Sequence, residues 1–153
     1  MKKKGLLIAI GAIVLVVALV IGGLVSTYNG LVDKEAEVEN ANAQIQTQLQ
    51  RRADLIPNLV STVKGYAAHE KETLQSVTDA RANATSISID PSTATPQQME
   101  AWMKAQNEVG SALGRLIAIS ENYPDLKANQ NFMELQKQLE GTENRISTER
   151  RKY

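Results

Sequence analysis

The amino-acid sequence predicts an all-α protein, in which an N-terminal transmembrane helix is followed by an antiparallel up-and-down four-helix bundle. Three observations lead to this prediction. An uninterrupted apolar run follows three lysines, the later apolar residues recur at three- and four-residue spacing, and proline-containing breaks divide them into segments of helix length. We therefore expect a lysine tail and anchor at residues 1–27 and a helical bundle at residues 28–153.

The predicted anchor runs from Gly5 to Val25 and contains no polar side chain over its 21 residues. At ~1.5 Å rise per residue, a helix of this length spans roughly 30 Å, which is the thickness of a bilayer hydrocarbon core. The alternative is a cleaved signal peptide, whose apolar stretch is normally about 7–15 residues long. The greater length favours an anchor that stays attached.

The charges on either side of the anchor predict its orientation. Lys2, Lys3 and Lys4 precede it, whereas residues 26–45 contain one lysine and four acidic residues. Because basic flanks stay in the cytoplasm, we expect a cytoplasmic N-terminus and an extracytoplasmic bundle at a bacterial inner or plasma membrane.

Small residues are spaced four apart within the anchor. Ala18, Gly22 and Ser26 would lie on one helix face, which allows two anchors to approach closely. Small residues are also common in membrane helices that do not associate, so both interpretations stay open.

The first two helices of the predicted bundle are separated at Pro57. The first carries Leu31, Val38, Ile45 and Leu49 near one face. Proline lacks an N–H and clashes with the carbonyl four residues back, so we expect a break there, with Asp54 capping the next helix. The apolar residues of that second helix share one stripe: Leu59, Val63, Tyr66, Leu74 and Val77. The alternative is one long helix with a kink at Pro57.

Residues 85–95 are the longest stretch predicted to be non-helical, with Ile87 and Ile89 packing back on the bundle. Thr95-Pro96-Gln97-Gln98 then predicts a helix start with a capping box, in which Thr95 and Gln98 bond each other's backbone N–H groups. This third helix is expected to end at Asn122-Tyr123-Pro124-Asp125, because the residue before a proline avoids helical geometry.

Either Asn129 or Asn131 is expected to cap a fourth helix. Its apolar residues follow the 3–4 spacing: Phe132, Leu135, Leu139, Ile146 and Tyr153. Four amphipathic helices with short connections bury their stripes most simply as an antiparallel bundle.

The composition excludes several classes of site. The chain contains no cysteine, so it has no disulfide, thiolate nucleophile or cysteine zinc site. Its 17 basic and 17 acidic residues form no clustered cationic face of the kind that nucleic-acid binding requires. We therefore expect no nucleic acid, no cofactor and no small-molecule substrate.

His69 is the only histidine. A zinc-protease helix needs a second histidine four residues on, but Thr73 occupies that position. No nucleophile or orienting partner can be named for a general base either, so His69 is interpreted as a partly exposed helix residue. The sequence predicts a protein that is not an enzyme.

Two segments resemble one known family. Residues 51–70, RRADLIPNLVSTVKGYAAHE, resemble the signature of the LemA family of bacterial membrane proteins, and residues 121–146 and YNGLV at 28–32 resemble it as well. The resemblance implies a single-pass membrane protein with an up-and-down bundle of four helices, and it implies no reaction. The sequence departs from the pattern at its end, since family members usually continue past Arg150, Arg151 and Tyr153 into further helix.

An up-and-down bundle would place both predicted breaks at the same end, and the residues there form a candidate interaction patch. The patch consists of Arg51, Arg52, Asp54, Pro57, Asn58, Tyr123, Pro124 and Asp125. An alternative use of the arginines is an ion pair with a neighbouring helix, for which Glu121, Asp125 and Glu143 are the candidates.

The expected function is a membrane-anchored, non-enzymatic helical scaffold or adaptor at the cell envelope. Its expected partners are the lipid bilayer and either a second copy of the chain or a membrane or envelope protein. The alternative is a sensor or signalling-input module that binds a ligand or peptide outside the membrane. The four-residue segment before the anchor offers no output domain, which argues against that alternative.

Overall fold

The computed structural model describes the backbone of residues 2–152 and the side chains of residues 4–151. Its helices are α1 (Lys2–Lys64), α2 (Lys71–Ser86), α3 (Pro96–Ser120), α4 (Pro124–Lys127) and α5 (Gln130–Lys152). No strand occurs in this part of the chain, so the all-α fold class is confirmed. The side chains of Lys2 and Lys3 in the predicted tail, and Tyr153 in the predicted fourth-helix stripe, lie outside the described residues.

Tertiary contacts divide the chain into one unit that ends at Asn40 and a second that starts at Ala41. In the first unit every side chain from Lys4 to Asn40 is exposed, including all the large apolar ones. Within residues 2–152, α1 contains the single candidate membrane span. An exposed apolar helix of this length is a candidate for a membrane span, as the anchor prediction expects.

Helix α1 passes through Pro57 without ending, so the predicted break with a helix start at Asp54 is wrong, and the long-helix alternative is right as far as Lys64. Proline leaves the carbonyl four residues back without its helical donor, and here that carbonyl belongs to Ala53. Arg81 of α2 replaces the missing donor, because its Nε lies 2.7 Å from the Ala53 oxygen. A tertiary hydrogen bond thus compensates for the proline.

The first break of the bundle lies instead at residues 65–70. Gly65 and Tyr66 close the last turn of α1 through backbone bonds to Ser61, Thr62 and Val63. The predicted second-helix stripe is therefore split: Leu59 and Val63 are buried on α1, Leu74 and Val77 are buried on α2, and Tyr66 is exposed in the turn.

Cross-helix hydrogen bonds show that α2 and α3 are antiparallel. Asn83 Nδ2 donates to Glu108 Oε2 (3.4 Å), whereas Arg115 Nη2 donates to Ser76 Oγ (3.0 Å). Later residues of α3 therefore pair with earlier residues of α2, as two antiparallel helices require.

The same test shows that the later part of α1 and α5 are antiparallel. Asn131 Nδ2 donates to Thr62 Oγ1 (3.0 Å), and Arg52 Nη1 donates to Glu143 Oε1 (3.0 Å). Together with α2 and α3, these two segments form the expected four-helix bundle.

The bundle core has a main and a smaller cluster. Leu116, Leu126 and Val63 are fully buried in the main cluster. The smaller cluster consists of Ile45, Leu49, Trp102 and Ile146. The loop residues Ile87 and Ile89 pack against it, which confirms the prediction for residues 85–95.

Both predicted helix starts are present. Thr95 and Gln98 form the capping box at α3, with hydrogen bonds of 3.2 Å and 2.8 Å. Of the two candidate caps for the last helix, Asn129 is the one that acts, because its Oδ1 accepts from the Phe132 N–H at 2.9 Å.

Candidate functional site

A buried arginine on α1 joins α3 and α5. The side chain of Arg52 is 4% exposed, and its Nη2 donates to the Gln106 backbone oxygen (2.9 Å) and to Gln106 Oε1 (2.6 Å). Its Nη1 pairs with Glu143, whose side chain is 41% exposed. Of the two predicted arginines, Arg52 therefore makes the expected ion pair, and its role is structural.

Small and polar residues surround this arginine. A Cβ on Gly110 would lie 4.0 Å from Arg52 Nη1, an ordinary contact distance, so Gly110 of α3 lies beside the guanidinium. Gln48 and Thr142 are also buried; Thr142 donates to the Gln138 carbonyl of its own helix, whereas Gln48 Oε1 has no hydrogen-bond partner among the described residues. Because a buried guanidinium needs partners with defined positions, the bonds from Arg52 to Gln106 and Glu143 favour one register of the three helices that they join.

A second polar cluster joins the turn after α1 to the turn after α3. The Tyr123 hydroxyl donates to Glu70 Oε1 (3.0 Å) and lies in hydrogen-bond contact with His69 Nε2. The His69 and Tyr123 rings are 5.6 Å apart and tilted. Asn129 Nδ2 donates to the Tyr66 hydroxyl (2.9 Å). We call these five residues the turn cluster.

The turn cluster is partly exposed, and its polar side chains bond one another. Partial burial and the hydrogen bond to Glu70 raise the pKa of the Tyr123 phenol above its usual range. The His69 side chain is 72% exposed and lies in a turn, so its exposure was predicted correctly but its helical placement was wrong. A protonated phenol and a carboxylate at this corner suit recognition by hydrogen bonds.

The predicted interaction patch is divided by the fold. Measured along the axis of α1 at 1.5 Å per residue, Arg51 lies about 20 Å and Asn58 about 9 Å before the end of the helix at Lys64. Tyr123 instead meets residues 69 and 70. The premise that both predicted breaks share one end is therefore wrong for Pro57, and the turn at 65–70 takes that place.

The separate patch residues have distinct environments. Arg51, Asp54, Pro57 and Asn58 are exposed on α1, where Asp54 accepts a hydrogen bond from Gln50 Nε2 (2.8 Å). Pro124 and Asp125 are exposed in the first turn of α4, next to half-buried Tyr123. Gly65 was the one local signal for the true turn, since glycine costs about 1 kcal/mol in a helix interior.

The four anchor residues singled out from the sequence are exposed. Ala18 and Val25 have solvent-facing side chains, and no side chain lies within 4 Å of a Cβ built on Gly5 or Gly22. Their surroundings leave room for lipid or for a second helix.

An open groove of about 1110 Å³ lies between α2 and α3 on the bundle surface. Four carboxylates line it, from Glu72, Asp79, Glu100 and Glu108, against the two cations Lys104 and Arg115. Sequence reasoning missed this groove, because it depends on which faces of the two helices pack together. Among residues 2–152, no three His, Asp or Glu side chains lie together as metal ligands would.

The LemA family model matches residues 41–153, which is most of the chain and all of the described bundle. The family resemblance stated from the sequence is thereby confirmed, and it is carried by residues 51–70 and 121–146, since YNGLV at 28–32 lies outside the match. The match begins where the second structural unit begins.

Individual relatives are more distant. Protein LemA of Metamycoplasma hominis is 27% identical over 125 residues, covering 82% of this chain and 53% of the relative. Magnetosome protein MamQ 2 of Paramagnetospirillum magneticum is 26% identical over 157 residues, covering 92% and 58%. Magnetosome protein MamQ of Magnetospirillum gryphiswaldense is 25% identical over 147 residues, covering 85% and 54%. The chain spans about half the length of these relatives.

Proposed function

Because the chain belongs to the LemA family, we propose that it is a membrane-anchored scaffold or adaptor at the bacterial cell envelope, acting through helix–helix contacts with itself or an envelope partner. The apolar helix and the family match indicate a membrane-associated helical protein. The scaffold role, the absence of catalysis and the orientation are the parts that we propose.

The observation that carries the proposal is the exposure of the apolar helix. The side chains of Leu6, Leu15 and Leu24 are between 62% and 66% exposed, although each is a large apolar group. Burying such a side chain contributes about 1.5–3 kcal/mol, so a run of them favours insertion into lipid strongly. A bundle attached to such a helix is held at the membrane surface.

The bundle surface supports a contact role over a catalytic one. The most buried ionisable side chain, Arg52, is engaged in structural bonds, and His69 is bonded to Tyr123. The names of the three relatives describe no enzymatic activity. The turn cluster and the exposed side chains of residues 51–58 remain as surfaces for a partner.

Orientation and anchoring can be tested together, because the chain contains no cysteine. Glu134→Cys, exposed on α5, is expected to react with a membrane-impermeant thiol reagent in intact spheroplasts of cells that produce the protein. Lys4→Cys is expected to react only after lysis. Labelling in the reverse pattern would overturn the orientation, and recovery of the protein in the soluble fraction would overturn the anchor.

The adaptor role predicts assemblies larger than one chain. After mild detergent solubilisation and affinity purification, mass measurement by light scattering is expected to give a protein mass above 16.7 kDa, the mass of one chain. A monomer without a companion protein at native expression would contradict the proposal.

The groove between α2 and α3 favours a second candidate function, a sensor module outside the membrane. Its net excess of two carboxylates suits a basic peptide rather than an acidic one. Binding of a lysine-rich peptide that is lost in Asp79→Asn/Glu108→Gln would support this function, and equal binding to both forms would reject it.

A further inference from the structure

One series of positions on α1 follows a seven-residue repeat. In the bundle this series is buried and alternates by four and three residues: Ile45, Leu49, Arg52, Ile56, Leu59 and Val63; Ala41, Gln48 and Ala53 beside it are buried as well. The series gives the a and d positions of a heptad, with Leu49, Ile56 and Val63 at a. Counted backwards through half-buried Asn42 at a, the same register reaches Val38, Glu35, Leu31, Tyr28 and Leu24.

In the first unit these core-type positions have no partner within the described residues. Val38 is 41% exposed, Leu31 64% and Tyr28 68%, although their heptad equivalents in the bundle are nearly all fully buried. We call Leu24, Tyr28, Leu31, Glu35 and Val38 the heptad face. An apolar stripe with this period is the sequence form of a coiled-coil seam.

We propose that the heptad face binds the same face of a second copy of this chain, as a parallel two-stranded coiled coil next to the membrane. The inference rests on the proposed anchoring, since two helices that leave one bilayer on the same side run in the same direction. It names the partner for the self-contact that the scaffold role requires.

The charges beside the seam support a second, parallel copy. In this register Lys34 is at g and Glu39 is at the following e position. A parallel pair places each g residue next to the e residue five positions on in the partner, so Lys34 meets Glu39 twice. An antiparallel pair would place lysine against lysine and glutamate against glutamate. The segment is therefore complementary to itself in one direction only.

The lysine is available for this exchange. Lys34 now pairs with Glu37 of the same helix at 2.8 Å, and both side chains are largely exposed. Exposed pairs at this spacing contribute little, so exchanging the partner costs little. Glu35 at an a position weakens the seam, and we expect association to depend on the high local concentration that a shared bilayer provides.

Disulfide formation between single cysteines tests the seam in the full-length protein in membranes. Leu31→Cys is at d, and its matched control Asp33→Cys is at f, two residues away on the opposite side. Under mild oxidation we expect the dimer yield at position 31 to exceed that at position 33 by about fivefold, which corresponds to about 1 kcal/mol of preference. Val38→Cys and Asn40→Cys repeat the test one heptad later. Equal yields, or no dimer at 31 and 38, would overturn the proposal.

Charge exchange tests the direction of the pair. In the Leu31→Cys background, Lys34→Glu is expected to lower the dimer yield about threefold, and adding Glu39→Lys is expected to restore it. Glu37→Gln removes the intrahelical partner without changing e or g, so it should leave the yield unchanged. A loss that Glu39→Lys does not rescue would reject the parallel register.

A substitution that makes the heptad face more apolar should raise the yield of disulfide-linked dimer. Glu35→Leu is expected to raise the dimer yield, whereas Glu37→Leu adds the same apolar side chain at an outward c position and should not. The seam also differs from the face of Ala18, Gly22 and Ser26, which occupies e, b and f positions.

The coiled coil and the membrane anchor can be rejected independently of each other. Membrane-bound protein with equal disulfide yields at positions 31 and 33 would reject the coiled coil and leave the anchor intact. Protein in the soluble fraction would reject the anchoring on which both proposals rest.

Discussion

Leu15 and Leu59 lie on the same helix, yet the first is 62% exposed and the second 2%. Around Leu15 the helix is apolar on every side, whereas around Leu59 it is apolar along one stripe and polar elsewhere. The first pattern is typical of a helix that faces lipid, and the second is buried by three other helices. One continuous helix thus carries two different surface patterns.

The backbone is treated differently in the two regions. Residues 5–25 contain no proline, so a helix there satisfies its own hydrogen bonds, as lipid requires. In the bundle, Pro57 opens one bond and Arg81 closes it from another helix. Such a correction needs a neighbouring helix.

The largest effect is expected from charged side chains placed in the apolar part of α1, which should release the protein from the membrane. Leu15→Arg/Leu19→Arg places two cations near the middle of the span, which costs about 5 kcal/mol or more on the insertion scale. We expect most of the protein to become extractable from membranes by alkaline carbonate. Leu15→Ala/Leu19→Ala, which stays apolar, should remain in the membrane fraction. If the arginine variant stayed in the membrane fraction, residues 5–25 would not be the part of the chain that holds the protein in the membrane.

The next largest effect is expected from shortening a core leucine, which should destabilise the bundle but not the apolar part of α1. Leu116 is fully buried, so Leu116→Ala should lower the free energy of unfolding of the bundle by about 2–5 kcal/mol. Leu15→Ala is the matched change in the anchor and should leave bundle unfolding nearly unchanged. Denaturant unfolding in detergent, followed by circular dichroism, measures both. Equal losses would mean that the anchor and bundle unfold as one unit.

Removal of the buried arginine tests whether polar groups inside the bundle are structural. Arg52→Met leaves Gln106 without its donor and Glu143 without its partner, and should cost about 2–4 kcal/mol. The loss of stability should lie toward the low end of that range if the partly exposed carboxylate of Glu143 becomes hydrated in place of its ion pair. Adding Glu143→Leu should recover part of it in the same unfolding experiment. A change of Arg52 within experimental error of wild type would contradict a structural role.

The proline compensation predicts coupling between two helices. Arg81→Met removes the donor to the Ala53 carbonyl and should cost about 1–2 kcal/mol, the usual penalty for a buried acceptor left unpaired. In a Pro57→Ala background the backbone N–H returns, so the same change should cost clearly less. A double-mutant cycle on the free energy of unfolding measures the difference. Strict additivity would reject the compensation.

The turn cluster should give the smallest effect. Tyr123→Phe removes the hydrogen bonds to Glu70 and His69, and should lower the free energy of unfolding by less than any of the changes above. Because the folded-state pKa of Tyr123 is raised, the protonated phenol stabilises the fold below its ordinary pKa, near 10. The advantage of wild type over Tyr123→Phe should therefore shrink as the pH rises through that value. An advantage that grows with pH would contradict the assignment.

The features that depend on residues close together in the sequence were predicted correctly. The capping box at Thr95, the asparagine cap at 129 and the apolar stripe of the last helix all follow from side chains within one or two turns. The break between α1 and α2 was misplaced because Pro57 is a stronger local signal than Gly65. A proline defect can be repaired by an arginine 28 positions away in the sequence, and no local pattern contains that information.

The candidate site was predicted only in part for the same reason. Arg52 and Glu143 were named as a possible pair, but the burial of Arg52 and its two bonds to Gln106 depend on how α1, α3 and α5 pack. Tyr123 was placed at the right bundle end with the wrong neighbours. Its contacts with His69 and Glu70 exist because the chain turns at 65–70.

The sequence by itself determined an all-helical protein with a long apolar N-terminal helix and the family to which it belongs, because hydrophobic period, helix caps and motif residues act over short distances. Only the tertiary structure decided where α1 ends, which arginine is buried and which turn residues meet. Those outcomes depend on interhelical hydrogen bonds and packing, whose partners are far apart along the chain.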